Sequence, residues 1–486
     1  MTSDWEAIIG LEVHVQLCTR SKLFSPSAVS VQAAPNAQTD AWSSGQPGVL
    51  PLLNEQAVAL AVRAGLATGC RIEPLSIFSR KHYFYPDLPR GYQITQHEHP
   101  LCREGTLEFP LGEQLRTCSI ERIHIEEDTG KSVHSGDSSL IDYNRASTPL
   151  IEIVTRPELH TPDEAAACFR ELRQVLVAAR ITDGNLQDGS MRCDANVSVR
   201  RRGENSFRNR VEVKNLNSFR FVRDALAWEI QRQITAWESG EMVWQETRSW
   251  DENAQITRLL RRKEKSADYR YLPEPDLPPL YLSADWISQQ TRQLPELPAA
   301  SRARLMTMGL SFAESVQLVQ ADGLLEMLDA ALPSGAQPVA LFHLINALVT
   351  PALHQGLATL QNTDLVTANT VIPASALGEL QLLIQQQAIS HAIAKQVWEL
   401  MLREGGSPAE HMTRHGLHTV RDTAALQKIV AEVVAQYPEE VARYRAGKVA
   451  LLGFLVGKAM KATAGKADPR ILSDLLTNKP DPSENS

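Results

Sequence analysis

Residues 10–17 read GLEVHVQL, and apolar and polar side chains alternate through most of this stretch. On a β-strand, successive side chains point to opposite faces of the sheet. Valines and a leucine would therefore face an apolar core, while Glu12, His14 and Gln16 would lie on the other face. This two-residue period predicts a half-buried strand, as in an antiparallel sheet.

Three further stretches repeat the alternation. They are SIERIHIEED at 119–128, CDANVSVR at 193–200 and RVEVKN at 210–215. Their polar side chains include Glu126, Glu127, Asp194, Asn196, Glu212 and Lys214. Because neighbours on a strand point in opposite directions, Glu126 and Glu127 would share one site only where the strand has ended.

The polar faces of these four stretches have two interpretations. The solvent face of a half-buried antiparallel sheet is also polar. However, apart from Lys214 these stretches carry mainly Glu, His, Asp and Asn, and not the Thr and Lys common on solvated faces. Carboxylates suit Mg²⁺, which usually keeps waters and meets substrate phosphates, and Lys214 could balance phosphate charge. The pattern favours a polar floor that handles a metal ion and a phosphorylated ligand.

The chain divides into three parts by composition and periodicity. Residues 1–292 have short alternating segments with two helices, which predicts a sheet-rich, antiparallel α+β domain. This part ends in a proline-dense seam, YLPEPDLPPLYL at 271–282. Helical periodicity then predicts a helical domain over 293–404, and a Gly-Gly-Ser-Pro breaker begins a small helical domain over 405–486.

Composition and missing motifs exclude several classes of protein. The six cysteines form no CxxC pair, and no apolar run reaches the roughly 18 residues of a membrane span, which predicts a reduced, cytoplasmic, soluble protein. The segment Thr129-Gly130-Lys131-Ser132 resembles the end of a P-loop, but Ile125 stands where that loop requires glycine. No GxSxG, HExxH or GxGxxG motif supports a hydrolase, a zincin or a Rossmann fold.

Several longer stretches carry a family resemblance. In chain order they are GLEVHVQL, RKHYFYPDLPRGYQITQ, HIEEDTGKSVH, DYNRASTPLIEIVT, GSMRCDANVSVR, EVKNLNSFRFVRDAL and DYRYLPEPDLPPL. They resemble successive signatures of the B subunit of the tRNA-dependent aspartyl/glutamyl amidotransferases. The segment LLGFLVGKAMKATAGKADP at 451–469 is similar to the tail domain of that family, which is shared with YqeY-like proteins. This chain departs from the family pattern at Ser147, where the resemblance implies a glycine after NRA. The position could be a turn that prefers glycine.

The resemblance implies a specific activity and a specific set of partners. The B subunit works in a heterotrimer with an amidase-fold A subunit, which releases ammonia from glutamine, and a small C subunit. It binds misacylated Glu-tRNA(Gln) or Asp-tRNA(Asn), phosphorylates the side-chain carboxylate with ATP and Mg²⁺, and amidates it with channelled ammonia. The implied architecture is a cradle domain, a helical domain and a YqeY-like tail domain, in agreement with the three parts above.

The resemblance also assigns roles to residues of this chain. The metal ligands it implies are Glu12, His14, Glu126 and Asp194, with Glu127 in reserve. Contacts to ATP or to the aminoacyl end are implied for Lys81, Tyr83, Asn196, Glu212, Lys214 and Asn215, and more weakly for Arg258 and Arg270. The alternatives are ordinary polar residues of a sheet face, a packed aromatic ring for Tyr83, and surface ion pairs of little energy for the lysines.

Positive charge gathers in the tail, although the whole chain has a net charge of −8. Between Val441 and Arg470 there are seven Lys and Arg and one acid, Asp468, so the local balance is 7 − 1 = +6. With the resemblance, Lys458, Lys461 and Lys466 are predicted to contact tRNA phosphates. The alternative is a solvated helix face.

Two rival functions remain open. The chain could be a non-catalytic tRNA adaptor, which would need no cluster of Glu12, His14 and Asp194. A self-sufficient glutaminase is disfavoured because no Ser or Cys nucleophile motif is visible.

Overall fold

The computed structural model describes residues 4–29, 33–262, 269–420, 422–463 and 465–477, without the side chain of His134. The chain divides into two compact units, Met1–Ala303 and Arg304–Ser486. The three-part division at 292 and 404 stays a prediction.

The described residues of the first unit form sixteen strands, and five helices begin in this unit. Its strands are β1 (Trp5–Gln16), β2 (Arg71–Ile72), β3 (Leu75–Ser76), β4 (Ser79–His82), β5 (Tyr92–Thr95), β6 (Cys102–Leu111), β7 (Gln114–Glu127), β8 (Lys131–Ser135), β9 (Ser138–Asp142), β10 (Pro149–Thr155), β11 (Met191–Arg201), β12 (Val211–Leu216), β13 (Glu246–Asp251), β14 (Ile256–Arg262), β15 (Leu272–Pro273) and β16 (Leu280–Tyr281). Its helices are α1 (Glu55–Ala67), α2 (Pro162–Ala178), α3 (Phe219–Glu238), α4 (Ala284–Arg292) and α5 (Pro298–Thr307).

A nine-stranded sheet in the order β14-β13-β12-β11-β1-β10-β7-β6-β2 forms the centre of this unit. Every neighbouring pair is antiparallel except β12 and β13. The alternating stretches quoted above lie within β1, β7, β11 and β12, so each predicted strand is present. Their apolar side chains face one hydrophobic core with α1, α2 and α3. The other face of the sheet is left to polar side chains.

Local sequence signals fix the ends of the covering helices. Thr161 accepts a hydrogen bond from the backbone of Glu164, whose side chain accepts one from the backbone of Thr161, so α2 begins in a capping box. Ser218 caps α3 in the same way without the return bond. The other strands described in this unit form three small sheets, β15-β4-β5, β16-β3 and β8-β9.

The turn at Ser147 has the backbone conformation that glycine normally supplies. Ser147 has φ 65°, in the left-handed region. Its hydroxyl accepts a hydrogen bond from the Trp42 indole, and its backbone N–H donates to Asp128. These contacts hold the serine in this turn.

The second unit is mainly helical. Its helices are α6 (Phe312–Gln320), α7 (Leu324–Ala331), α8 (Pro338–Leu344), α9 (Thr350–His354), α10 (Ala374–Gln385), α11 (His391–Glu404), α12 (Pro408–His415), α13 (Thr423–Gln436), α14 (Pro438–Arg445), α15 (Leu451–Ala462) and α16 (Pro469–Thr477). A π-helical stretch, Ile345–Val349, joins α8 to α9. One hydrophobic cluster contains buried residues between 305 and 417, and a smaller one contains residues between 426 and 472.

The predicted fold class, a sheet-rich α+β domain followed by helical parts, is confirmed. One correction concerns the segment 293–404, which was predicted to be wholly helical. It also contains a three-stranded sheet of β17 (Ala358–Gln361), β18 (Asp364–Thr367) and β19 (Val371–Ile372). These strands have only two to four residues, too few for a strand period to stand out between helices. No helix in the described part of the chain is long and apolar enough to cross a membrane.

Candidate active site

Polar side chains form a continuous row across five neighbouring strands of the large sheet. Residues directly opposite each other on paired strands lie on the same face. The register pairs Glu212 with Asn196, Asp194 with Glu12, His14 with Glu152, and Glu152 with His124. We call this row, completed by Lys214, Arg192 and Glu126, the polar floor. Four of its five strands carry the alternating stretches quoted above, and β10 is the fifth.

At one end of the polar floor, four side chains converge, and we call them the His14 cluster. The His14 Nε2 atom lies 3.4 Å from a carboxylate oxygen of Glu152 and 3.7 Å from one of Glu126. The His124 Nε2 atom lies 3.6 Å and 3.8 Å from the same two carboxylates. One donor atom each from His14, Glu126 and Glu152 lie within 4.8 Å of one another, so these three could hold a metal ion.

The electrostatics of the His14 cluster favour a cation. Burial opposes ionisation of Glu152, yet the positive charges of His124 and His14 hold its pKa below the usual range. Burial likewise opposes ionisation of Glu126, whose pKa is lowered by the nearby His124 ring and by the charge of His14. Burial alone would lower the pKa of His14, but the two carboxylates raise it to about 9. Two buried anions side by side thus require positive charge between them.

Lys81 and Tyr83, predicted to contact substrate, lie beside this cluster. The Lys81 ammonium sits 5.0 Å from the ring centre of Tyr269 and 5.9 Å from that of Tyr83. Burial alone would lower the pKa of Lys81, but the Glu126 and Glu152 carboxylates together with the neighbouring tyrosines outweigh it, and the pKa is raised. Burial and the same acidic surroundings raise the pKa of Tyr83, so its hydroxyl stays protonated. Lys81 therefore supplies a fixed positive charge near the cluster.

At the other end of the polar floor, Lys214 bridges two carboxylates. Its ammonium lies 2.6 Å from Asp194 and 2.9 Å from Glu212, and these charges raise its pKa although burial opposes this. Asn196 donates a 2.8 Å hydrogen bond to Glu12. Burial and the nearby carboxylates of Glu152, Glu212 and Asp194 raise the pKa of Glu12. A carboxylate crowded by three others is a position where a cation would be stabilised.

The structure thus divides the predicted ligand set. His14 and Glu126 meet in one cluster, with Glu152 as the third donor. Glu12 and Asp194 face each other in register, but Asn196 and Lys214 are their hydrogen-bond partners. The metal-binding role of Glu12 and Asp194 stays a prediction.

Four other predicted residues lie outside the His14 cluster. Glu127 is buried and pairs with Arg90, and it also accepts a bond from the backbone of Ile94. Asn215 is exposed in a β-bulge at φ 66°. Arg258 is exposed on β14 and pairs with Asp251. Arg270 is exposed and accepts a bond from His82 through its carbonyl oxygen.

Glu152 and His124 are not among the residues predicted from the sequence. Each is flanked by two isoleucines, in Ile151-Glu152-Ile153 and Ile123-His124-Ile125. The sequence signal that could have identified each as a site residue is an ionisable side chain between two buried β-branched residues. Its position beside His14 depends on the pairing of β10 with both β1 and β7, which the local pattern does not specify.

The tail lysines lie on and just after α15. The Lys458 ammonium lies over the rings of Tyr437 and Phe454, at 4.9 and 5.0 Å. Lys461 is exposed, and Lys466 donates to the carbonyl of Gly416. Lys461 is thus the member of this set most open to a polyanion.

Comparison with known proteins identifies the class first. A profile described as the GatB/GatE catalytic domain matches residues 7–288, which include the whole polar floor, and a profile described as the GatB domain matches residues 345–479. The chain therefore belongs to the family of the B subunit of aspartyl/glutamyl-tRNA(Asn/Gln) amidotransferase, which confirms the resemblance.

Curated relatives agree over nearly the full length. The B subunit of the aspartyl/glutamyl-tRNA(Asn/Gln) amidotransferase from Geotalea daltonii is 45% identical over 98% of this chain and 99% of its own. One with the same name from Synechococcus sp. strain JA-3-3Ab is 44% identical over 97% of each chain. Another from Syntrophotalea carbinolica is 43% identical over 99% of each chain.

Proposed function

We propose that this chain converts misacylated Glu-tRNA(Gln), Asp-tRNA(Asn) or both into the amidated forms, using ATP, Mg²⁺ and ammonia from an amidase-fold partner. The observation that carries the proposal is the His14 cluster, set in a row of carboxylates and lysines within the matched catalytic domain. A pure adaptor for tRNA would not need two buried carboxylates converging on two histidines. We also propose a cytoplasmic location, where charged tRNA and ATP occur and cysteines stay reduced.

The chemistry explains why such a site is needed. A carboxylate is a poor acyl donor, because its leaving group would be oxide. Transfer of the γ-phosphoryl group of ATP to a carboxylate oxygen gives an acyl phosphate and ADP. Ammonia then attacks the acyl carbon, the C–O bond breaks as inorganic phosphate leaves with that oxygen and the bonding electron pair, and the nitrogen loses a proton to give the amide. Both steps handle phosphate charge, which fixed cations must balance.

The residues of the His14 cluster fit a magnesium ion. Glu126 and Glu152 supply two carboxylates kept ionised by their surroundings, and carboxylates are the hard oxygen ligands that Mg²⁺ accepts. His14 supplies a third donor within the same 4.8 Å once it releases the proton that the two carboxylates hold on it. A bound Mg²⁺ would neutralise charge on the phosphates of ATP.

The lysines of the site have fixed positions and fixed charge. Lys214 is held between Asp194 and Glu212, and Lys81 is held over tyrosine rings near Glu126. Ammonium groups with raised pKa values remain charged at neutral pH, so both can pair with phosphate oxygens. Burial of the cluster also keeps bulk water from a hydrolysable acyl phosphate.

Reconstitution tests the proposal directly. The full chain, combined with an amidase-fold A subunit and a small C subunit, should form Gln-tRNA or Asn-tRNA only with ATP, Mg²⁺ and glutamine all present. The chain alone should release no ammonia from glutamine, because that step belongs to the partner. Amide formation without ATP, or with a different protein supplying the kinase step, would favour the adaptor.

The tail should bind tRNA through phosphate contacts. In the double variant Lys458→Gln/Lys461→Gln, the slope of log affinity for tRNA against log salt should fall by about 2, one unit per lost contact. Filter binding of the reconstituted complex over a range of salt concentrations measures this slope. The control is Lys395→Gln, which changes an exposed lysine on α11 outside the basic stretch 441–470 and should leave the slope unchanged. Equal slopes for all three proteins would remove the tail from tRNA binding.

A further inference from the structure

A second group of metal-ligating side chains lies in the unit Arg304–Ser486, outside the polar floor. Glu404 is the last residue of α11, and His411 and His415 lie four apart on α12. Residues four apart share one face of a helix. One donor atom from each of the three lie within 4.8 Å of one another. We call these three residues the corner cluster.

The two ring nitrogens of His411 differ in their hydrogen bonding. Its side chain is only 1% exposed. Its Nε2 atom faces the carbonyl of Gly405, which can only accept, so the ring carries its proton on Nε2. The Nδ1 atom then presents a lone pair, and it is buried without a hydrogen-bond partner. A histidine that donates one N–H to a backbone carbonyl while its other nitrogen is open has the arrangement of metal-binding histidines.

The chain between α11 and α12 brings these ligands together. Gly405 and Gly406 have φ 71° and 81°, which allows a reversal that other residues rarely adopt. The rings of His411 and His415 are stacked at 15° with centres 6.0 Å apart. His415 also lines an open cleft of about 600 Å³, which gives an ion a route from solvent.

The competing contacts of Glu404 are weak. Arg403 and Arg414 lie 3.4 and 3.6 Å from its carboxylate, and their side chains are 68% and 62% exposed. Exposed ion pairs of this kind contribute little, so a metal ion can replace them. Ligands around a tetrahedral zinc ion lie about 3.3 Å apart, so the three donors need to close by no more than about 1.5 Å.

We propose that Glu404, His411 and His415 bind one zinc ion, which ties the end of α11 to α12. Two imidazoles and one carboxylate suit a borderline cation such as Zn²⁺ and not Mg²⁺, which prefers oxygen ligands. Water fills the fourth position. The site is independent of the proposed catalytic function, because it shares no residue with the polar floor.

Zinc titration of the chelator-treated, full-length chain tests this site. In isothermal calorimetry, the wild type should bind one more zinc equivalent than His415→Ala. If His415→Ala still binds this equivalent, its affinity for it should be at least about tenfold weaker than that of the wild type. Glu404→Gln should show the same loss. The His14 cluster can also bind zinc, so the test compares the number of zinc equivalents bound by the wild type and by each variant, and not the total for one protein. Both substituted side chains are exposed, and circular dichroism should show an unchanged fold.

The matched control is His418→Ala, which removes another exposed histidine three residues beyond His415. It should bind as many zinc equivalents as the wild type. The zinc-dependent rise in melting temperature should be as large in His418→Ala as in the wild type and smaller in His415→Ala. Equal stoichiometry and affinity in the wild type and His415→Ala, or an equal loss in His418→Ala, would overturn the proposal.

Discussion

Glu152→Gln should reduce ATP-dependent amidation of misacylated tRNA by on the order of a thousandfold, about 4 kcal/mol of transition-state stabilisation. Glu152 is the residue that both histidines of the His14 cluster contact, through one of its carboxylate oxygens. Glutamine keeps the shape of the side chain but removes its charge. The cluster would then hold one carboxylate instead of two, and its affinity for Mg²⁺ would fall with it.

The measurement is single-turnover formation of Gln-tRNA or Asn-tRNA by the reconstituted complex, at several Mg²⁺ concentrations. A higher Mg²⁺ requirement, together with the lower rate, would be the sign of a lost metal ligand. The glutaminase activity of the A subunit should stay unchanged, because Glu152 belongs to a separate chemical step. The matched control is Glu121→Gln on β7, the strand that also carries Glu126, since Glu121 is exposed and pairs only with the adjacent Arg122 among the contacts described.

Two results would contradict the prediction. If Glu152→Gln kept its activity and its Mg²⁺ requirement, the His14 cluster would be a structural polar core. If the glutaminase activity fell in parallel, the variant would be disturbing assembly and not phosphoryl transfer. Glutamine removes the charge that His14 and His124 contact, so circular dichroism must show that the variant keeps the wild-type fold before its rate is interpreted.

The sequence predicted the strands of the site better than it predicted which strands are neighbours. Alternation in GLEVHVQL and CDANVSVR is a local property, and both stretches lie within β1 and β11. The position of Glu152 beside His14 depends on pairing between residues 138 positions apart, which packing of the whole sheet decides. Hence His14 and Glu126 were recognisable from the sequence, whereas their third donor was not.

The sequence also does not predict which buried charges pair with each other. Glu127 follows Glu126 directly, and strand alternation predicts that the two separate; the structure gives Glu127 a different partner, Arg90. The partner itself comes from a loop before β5, 37 residues earlier, and no local pattern connects them. Long-range ion pairs of this kind depend on the folded arrangement and on burial, so composition and spacing do not reveal them.

Arg302→Met should cost about 3–5 kcal/mol of stability in the first unit at pH 8, the largest loss we expect from one substitution outside the site. The Arg302 guanidinium lies 2.8 Å from the Glu171 carboxylate, and their side chains are 4% and 1% exposed. Glu171 lies on α2 and Arg302 on α5. Without Arg302, the Glu171 charge would remain buried with no cation against it.

The pH dependence of this loss has a definite sign. Burial already raises the pKa of Glu171 above its usual value, and Arg302 opposes that rise. The variant should therefore raise this pKa further. A carboxyl group with a raised pKa in the folded state binds a proton on folding, so stability falls as the pH rises above the usual carboxyl range. The deficit of the variant should be smaller at pH 5 than at pH 8.

Urea unfolding followed by tryptophan fluorescence can measure this loss, because seven of the eight tryptophans lie in the first unit. Arg71→Met is the control, since Arg71 is 57% exposed and its ion pairs should contribute less than about 1 kcal/mol. The double variant Glu171→Leu/Arg302→Met should recover most of the stability. The native pair leaves Glu171 Oε2 and Arg302 Nη2 buried without hydrogen-bond partners, and apolar replacements remove that cost. A deficit below about 1 kcal/mol at pH 8 for Arg302→Met alone would mean that water reaches Glu171 and that the pair is not a buried one.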